Sequence, residues 1–239
     1  MRLSIVVPAY NEEKLLGASL ESIRSAAGAF DASGWELIVC DNNSTDRTAA
    51  IARAAGAMVV FEPHNQISRA RNRGAAAARG EWLLFVDADS TPSAELFADL
   101  RRAIESGRVV GGGCTVASDH DGLPVRAVLA LWNSISRGLR WAAGAFLFCR
   151  RDVFRATGGF SEELYASEEL ELSRRLKREA RARGLEFRIL HRHPLRTSAR
   201  KLHLYGWLEL TKVFGRFLLH PRRMLRSASG CSPWYDGRR

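Results

Sequence analysis

The chain has 239 residues and is 46% apolar, which suits one large domain with a full hydrophobic core. Its formal net charge is +10, yet residues 196–239 alone carry ten basic and two acidic residues, a net +8. The four cysteines are scattered without a C-x-x-C pair, which argues against a disulfide framework and against a zinc site.

Neither a membrane-spanning segment nor a secretory signal is predicted. No apolar run reaches the roughly 18 residues that a membrane span needs. The apolar run at 3–10 is too short for a secretory signal and leads at once into charged residues. We therefore expect a cytoplasmic protein. No nucleic acid is expected as a partner, because the basic excess lies in the tail and no nucleic-acid motif is present.

The first half of the chain alternates between short apolar runs and amphipathic stretches. Runs of this length bounded by turn residues are typical of buried strands, and apolar residues three and four apart are typical of helices. We predict strands at 3–10, 36–40, 57–61 and 82–86, and helices at 12–27, at 67–79, between a Ser44 or Thr45 cap and Gly56, and after a Thr91 cap with Pro92 in the first position. This alternation predicts an α/β fold with a mostly parallel sheet flanked by helices.

The second half is less regular. We predict a loop at 111–113, a helix at 125–139, a strand at 142–149, a tight turn at 158–159 and a long charged helix at 161–183. Residues 1–195 then form one domain with halves at 1–110 and 111–195. Residues 196–239 follow as a basic, partly amphipathic extension.

Three of the four predicted strands in the first half end in polar clusters, at 10–12, 41–43 and 87–89. Ligands bind beyond the carboxyl ends of the strands in such sheets, so the clusters should meet at one edge. Asp87 and Asp89 follow a buried strand and suit a hard divalent cation that shares its shell with phosphates. Capping of the next helix is the alternative for both carboxylates.

The segment 41–46 predicts an Asx turn that leads into a helix cap. A carboxylate or amide at this place is also suited to accept the N3–H of a pyrimidine base, and the two roles are compatible. Arg71 and Asn72 lie on the third helix, where arginine beside a diphosphate would clamp phosphate oxygens. We expect Arg73 on the surface.

An acidic cluster follows the glycine pair at 158–159. Arg175 lies four residues after Glu171, so a helix-surface ion pair accounts for that residue. Glu169 has no such partner, and a carboxylate close to a hydroxyl acceptor can serve as a general base. Spacing alone does not separate Glu168 from Glu169.

Taken together, these motifs resemble a family 2 glycosyltransferase with a GT-A fold. The matching strings occur in the family's order and span residues 3 to about 175. They lie at 6–12, 41–46, 70–74, 85–89, 158–162 and 168–169.

The resemblance implies inverting transfer of a sugar from a nucleotide-sugar, usually a UDP-sugar, with Mn²⁺ or Mg²⁺ as cofactor. It makes Glu169 the catalytic base, where the family usually has the Asp of a Glu-Asp pair. It makes Asp89, with Asp87, the metal ligand, and His191 or His193 is a candidate for a third ligand or else a surface residue. The implied nucleotide-sugar-binding residues are Pro8, Ala9, Tyr10, Glu12, Asp41, Asn42, Arg71, Asn72, Asp87 and Ala88.

The resemblance also bears on the two halves and on the acceptor. It makes 1–110 the nucleotide-binding half and 111–195 the acceptor half, with an envelope glycan or a lipid-linked molecule as acceptor. The string at 137–141 resembles the R-x-x-R-W of processive members but precedes the acidic pair, so we expect transfer of a single sugar.

The basic tail leaves two interpretations open. Residues 202–219 have apolar side chains at helical spacing, with basic residues within this stretch and beyond it to 226. Such a stripe packs on the core, or it lies on an anionic membrane at its inner face. The alternative functions are a sugar-phosphate nucleotidyltransferase, which would need a Gly-rich basic loop in place of the acidic 8–12, and a non-enzymatic basic protein that binds nucleic acid or membrane.

Overall fold

The computed structural model describes residues 2–31, 34–118 and 122–197. Strands and helices alternate through the first half, as the apolar pattern predicts. The elements are β1 Leu3–Ala9, α1 Leu16–Ala27, β2 Trp35–Asp41, α2 Thr48–Ala54, β3 Met58–Phe61, α3 Ile67–Ala77, β4 Trp82–Val86, β5 Ser90–Thr91, α4 Ala94–Glu105, β6 Val109–Ser118, α5 Leu123–Leu139, β7 Phe146–Arg150, α6 Arg151–Ala156, α7 Glu168–Ala182 and β8 Glu186–Thr197.

The strands form one sheet in the order β3-β2-β1-β4-β7-β6-β8-β5. The first four strands in this order are parallel to one another, and β6 is parallel to β8. Strand β7 runs antiparallel to both β4 and β6, and β5 runs antiparallel to β8. The predicted α/β fold is confirmed, and the carboxyl ends of β1, β2 and β4 lie at the same edge.

Both faces of the sheet are covered, so its strands are apolar at consecutive positions rather than at alternate ones. Val7 and Leu84 lie in the core cluster beneath α1 and α4. Val6 and Phe85, one residue away in each strand, lie in the cluster that also contains residues of α7. This double burial explains why β1 and β4 read as continuous apolar runs.

Several local predictions were wrong. Neither Ser44 nor Thr45 caps α2, which begins at Thr48 with Arg47 at its N-cap and no side-chain cap. The glycines at 111–113 lie within β6 and not in a loop. They let β6 approach its neighbours closely, since a side chain on Gly112 would overlap the carbonyl oxygen of Arg188. Ser93 caps α4 by accepting a hydrogen bond from the Leu96 N–H at 3.2 Å, whereas Thr91 lies in β5. Helix α7 begins only at Glu168, and residues 161–167 are irregular.

The predicted amphipathic segment at 202–226 lies outside the described residues. Among the helices that are described, none combines the length and the apolar character of a membrane span.

Candidate active site

The loops that follow β1 and β2 are joined by side chain–backbone hydrogen bonds. The Asn11 N–H donates to Oγ of Ser44 at 3.0 Å, and Oδ1 of Asn11 accepts from the Thr45 N–H at 2.8 Å. The Glu12 N–H donates to Oγ1 of Thr48 at 2.8 Å. Asn11 adopts φ 50°, a left-handed conformation that asparagine tolerates. Two of the predicted polar clusters therefore form one connected surface.

Asp41 is the last residue of β2 and Asn42 follows it, and their side chains make different contacts. Oδ1 of Asp41 accepts from the Ser44 N–H at 3.1 Å, which is the predicted Asx turn. The Asn42 amide is engaged with the chain that leads into α3. Its Oδ1 accepts from the Gln66 N–H at 2.9 Å, and its Nδ2 donates to the His64 carbonyl oxygen at 2.5 Å.

Arg71 is the centre of the site. Its side chain is only 2% exposed and packs over the ring of Phe160. Nη1 donates to Oε1 of Glu168 at 2.6 Å, and Nη2 donates to Oδ1 of Asp87 at 2.9 Å and to the Gly144 carbonyl oxygen at 3.0 Å. The two carboxylates raise the pKa of the guanidinium further, although burial opposes them. One arginine thus joins the end of β4, the start of α7 and the loop before β7.

Asn72, the next residue on α3, holds the loop that precedes α7. Its Nδ2 donates to the Phe160 carbonyl oxygen, and its Oδ1 accepts from the Phe160 N–H, both at 2.9 Å. From the residue before α3, Gln66 donates to the carbonyl oxygens of Glu162 and Leu164 at 2.7 and 3.0 Å. These contacts fix the path of the chain toward the acidic pair.

The structure separates Glu168 from Glu169. Glu168 is buried and ion-paired with Arg71, and burial nevertheless raises its pKa. Glu169 is half-buried, and its pKa is raised to about 8, first by burial and then by the charge of Glu168, while Arg71 opposes the shift. A side-chain carbon on Gly144 would lie 3.4 Å from Cδ of Glu169 and 3.1 Å from Nη2 of Arg71. The Glu169 carboxyl therefore lies beside the same glycine as the guanidinium.

Asp87 and Asp89 are both half-buried at the end of β4, on either side of the buried Ala88. Within 2–31, 34–118 and 122–197, no three His, Cys, Asp or Glu side chains are grouped as a metal cage. A divalent cation that takes one or two carboxylates, keeps waters and shares phosphate oxygens needs no such cage. The carboxylates present fit a cation of this kind.

The comparison with known families decides the class of protein. Residues 4–158 match the family described as "Glycosyl transferase family 2". The chain belongs to this family.

One relative and two solved structures place this family 2 chain among its neighbours. It is 34% identical over 120 residues to the uncharacterized glycosyltransferase Rv0539 of Mycobacterium tuberculosis (strain H37Rv). The matched residues cover 49% of this chain and 51% of the relative. The chain thus spans about half the length of that curated relative.

The two structures show that the fold is shared. TarS 1–349 of S. aureus in complex with UDP-GlcNAc is similar with a TM-score of 0.65 and 22% identity, over 84% of this chain and 59% of that one. The mannosyltransferase PcManGT of Pyrobaculum calidifontis, in complex with GDP-Man and Mn²⁺, is similar with a TM-score of 0.65 and 18% identity. This similarity covers 98% of this chain and 67% of that one.

The two candidate histidines of this family 2 chain lie on β8. Nδ1 of His193 lies 2.9 Å from Oδ2 of Asp99 on α4. Burial raises the pKa of Asp99, but hydrogen bonds from Arg102 and His193 outweigh burial and hold this pKa below its ordinary value. The exposed His191 lies near its own strand's backbone, with Nδ1 3.4 Å from the Ile189 carbonyl oxygen. These polar contacts of the two histidines lie within β8 and between β8 and α4.

The sequence does not single out Gly144 and Gln66, and it places Phe160 in the string at 158–162 without a role of its own. Gly144 is the point where Arg71 and Glu169 meet, and it lies in a short run of small residues that carries no signal of its own. The Phe160 backbone and ring contact Asn72 and Arg71, which the sequence places almost ninety positions away. Only the fold brings these residues together.

Proposed function

We propose that this chain transfers a single sugar from a UDP-sugar to an acceptor hydroxyl with inversion at the anomeric carbon. The observation that carries the proposal is the network in which Arg71 holds Asp87 and Glu168 beside Glu169. The network lies at the carboxyl edge of the sheet, where α/β folds bind their ligands. Family membership favours sugar transfer over nucleotidyl transfer.

The donor would lie over the connected surface at the ends of β1 and β2. Residues 8–12 with Asp41 would line the nucleotide pocket, and Asn42 would shape it through its contact with Gln66. Arg71 would act on the diphosphate through the position it gives to Asp87. TarS in complex with UDP-GlcNAc supports a UDP-sugar donor, while PcManGT shows that a neighbour of this fold takes GDP-Man.

Asp89 and Asp87 would hold a divalent cation, Mn²⁺ or Mg²⁺. When bound, such a cation neutralises the charge that develops on the leaving diphosphate. The Arg71–Asp87 ion pair fixes one of the two carboxylates, so the cation site would be ordered before the donor arrives. PcManGT, which was crystallised with Mn²⁺, supports this assignment.

Glu169 would be the general base. In its ionised form it accepts the proton of the acceptor hydroxyl as that oxygen attacks the anomeric carbon. A base works best when its pKa lies near the working pH, and Glu169 has a pKa of about 8. Glu168, paired with Arg71, is a positioning residue in this proposal.

The acceptor would be an envelope glycan or a lipid-linked molecule at the cytoplasmic face of a membrane. The half formed by residues 111–195 would bind it, because Glu169 lies in that half. Transfer would stop after one sugar.

A panel of nucleotide-sugars and nucleotides tests the proposal. A ligand that binds only the folded state raises the melting temperature. We expect UDP and one UDP-sugar to raise it in the presence of Mn²⁺ and not in EDTA. Asp89→Ala should lose this shift, and Glu169→Gln should keep it but lose donor turnover. Wild-type turnover in both variants would overturn the site assignment.

A further inference from the structure

Helix α5 presents most of the exposed apolar surface of the described chain. Among the described residues, seven large apolar side chains are exposed, and five of these seven lie on α5. The other two, Met58 and Phe61, lie on β3. The five on α5 are Leu123, Val128, Leu131, Ile135 and Leu139.

Four of these residues form one stripe, because their spacings of three and four residues keep them on one side of a helix. We call Val128, Leu131, Ile135 and Leu139 the α5 stripe. The opposite side of the helix is fixed to the sheet. Asn133 accepts from the Val116 N–H and donates to the Val116 carbonyl oxygen, both at 2.9 Å. The stripe is therefore held outward, with Leu131 64% exposed.

Positive charge lies on the polar side of α5 and at its end, because Arg126 and Arg137 lie roughly half a helical turn away from the stripe. Helix α5 contains Arg126 and Arg137, is followed by Arg140, and has no acidic residue in its sequence. Arg137 and Arg140 line a cleft of about 210 Å³ together with residues of β8, among them Arg188 and His191. One acidic residue, Glu186, also lines this cleft and pairs with Arg188 at 3.0 Å. The cleft therefore keeps a positive excess at the end of the stripe.

We propose that α5 docks this protein on an anionic lipid bilayer. The α5 stripe would enter the boundary between headgroups and acyl chains, and the basic polar side of α5 with Arg137 and Arg140 would attract the anionic headgroups. Amphipathic helices with basic flanks bind membrane surfaces in this way, and each basic residue near the surface adds to the attraction.

The tail of this chain is the alternative to a bilayer as the cover of the α5 stripe, and its charge argues against this alternative. Residues 196–239 carry a net +8 and would be brought next to the arginines of α5. The described chain ends at Thr197, which pairs with Ser118, and only residues 119–122 separate Ser118 from α5. The last described residue thus lies near the beginning of α5, and a tail that covered α5 would place its positive charge against these arginines.

Docking through α5 would also orient the candidate site. The chain runs from the end of α5 through Trp141 to Gly144, whose carbonyl oxygen accepts from Arg71. A lipid-linked acceptor would then enter from the bilayer side. This last step rests on the proposed function, whereas membrane docking itself does not.

Vesicle co-sedimentation of the full chain tests the proposal. We would compare phosphatidylcholine vesicles with vesicles that also contain phosphatidylglycerol. Wild type should bind the anionic vesicles and lose binding at high salt. Leu131→Gln/Ile135→Gln should weaken binding by about tenfold or more, and Arg137→Gln/Arg140→Gln by about fivefold per arginine. Met58→Gln/Phe61→Gln, on the other exposed apolar site, should bind as wild type.

The melting shift with UDP and Mn²⁺ is recorded for every variant. Lost vesicle binding with a retained shift supports docking through α5, independently of whether sugar transfer is found. Equal vesicle binding by the α5 and β3 variants overturns the proposal. A wild type that does not bind anionic vesicles overturns it as well. A lower melting temperature of Leu131→Gln/Ile135→Gln would then indicate that the tail covers α5, and loss of a dimer in this variant would indicate a contact between copies.

Discussion

At the residue scale, Glu169 should give the reaction a distinctive pH dependence. Its pKa lies at about 8 against an ordinary value of 4.5, because burial and the charge of Glu168 disfavour the ionised form. Only the ionised form can accept a proton. We therefore expect kcat/KM of the wild type to rise with pH on a limb well above the range of an ordinary carboxyl group. Steady-state rates with the identified donor would measure this profile.

The control is Glu169→Gln, which keeps the shape of the side chain and removes its titration. Its residual rate should be lower by roughly 10²- to 10⁴-fold and should lack that limb. A wild-type profile that is already flat above pH 5 would show that burial does not hold a proton on Glu169. The rising limb belongs to the coupled pair, since Glu168 also has a raised pKa.

Arg71 shows how far sequence can lead at a single residue. Its place in the motif at 70–74 marked it as important, and the type of residue favoured a phosphate clamp. The structure instead gives its guanidinium to Glu168, Asp87 and the Gly144 carbonyl oxygen. Each partner comes from a different element, so no local pattern contains this arrangement. What the sequence supports is a functional arginine at the edge of the sheet, and its partners require the fold.

At the scale of elements, the second half followed less closely from the sequence than the first: the predicted helix at 125–139 is α5, but β6 and the start of α7 differ from the prediction. Strands β1, β2 and β4 are largely buried on both faces, and this leaves short apolar runs with clear polar ends. In β6 the glycines at 111–113 remove the apolar signal, although the strand pairs on both sides. Those glycines are required by close approach of neighbouring chain, from β8 at Gly112, from β7 at Gly111 and from Ala142 at Gly113, a long-range constraint that composition does not reveal.

Helix α3 also approaches β1 closely. This close approach predicts that a glycine-to-alanine substitution in α3 and one in α5 change stability in opposite directions. A Cβ on Gly74 would overlap Cγ1 of Val6, whereas a Cβ on Gly138 in α5 would meet no atom within 4 Å. Alanine favours helices over glycine by about 1 kcal/mol, and overpacking costs about 1–3 kcal/mol. We expect Gly74→Ala to lower the free energy of unfolding by up to about 2 kcal/mol, and Gly138→Ala to raise it by about 0.5 kcal/mol.

Urea denaturation of both variants would measure these changes, and a cycle with Val6→Ala identifies the cause. If the added methyl group overlaps Val6, the double variant Val6→Ala/Gly74→Ala should be more stable than the sum of the single changes predicts. A gain in stability for Gly74→Ala, or strict additivity in the cycle, would show that α3 does not depend on this contact.

At the scale of the whole molecule, the two halves predicted at 1–110 and 111–195 share their cores. Strand β4 pairs with β7 from Trp82↔Arg150 to Val86↔Phe146, so the sheet runs across the division between the halves. One core cluster contains both Leu3 and Leu195, and the other contains both Val6 and Phe187. Residue 110 is therefore not a boundary between two separately formed cores.

Native-state hydrogen exchange should show one cooperative unit. We expect peptides that cover 37–41 in β2 and 187–190 in β8 to exchange with the same opening free energy, because each half completes the other's core. UDP with Mn²⁺ at roughly a hundredfold above its Kd should raise both values by about 2.7 kcal/mol, although UDP would contact only the first half. EDTA in place of Mn²⁺ is the control and should leave both values unchanged. A lower value for 187–190 that does not respond to UDP would mean that the halves open separately.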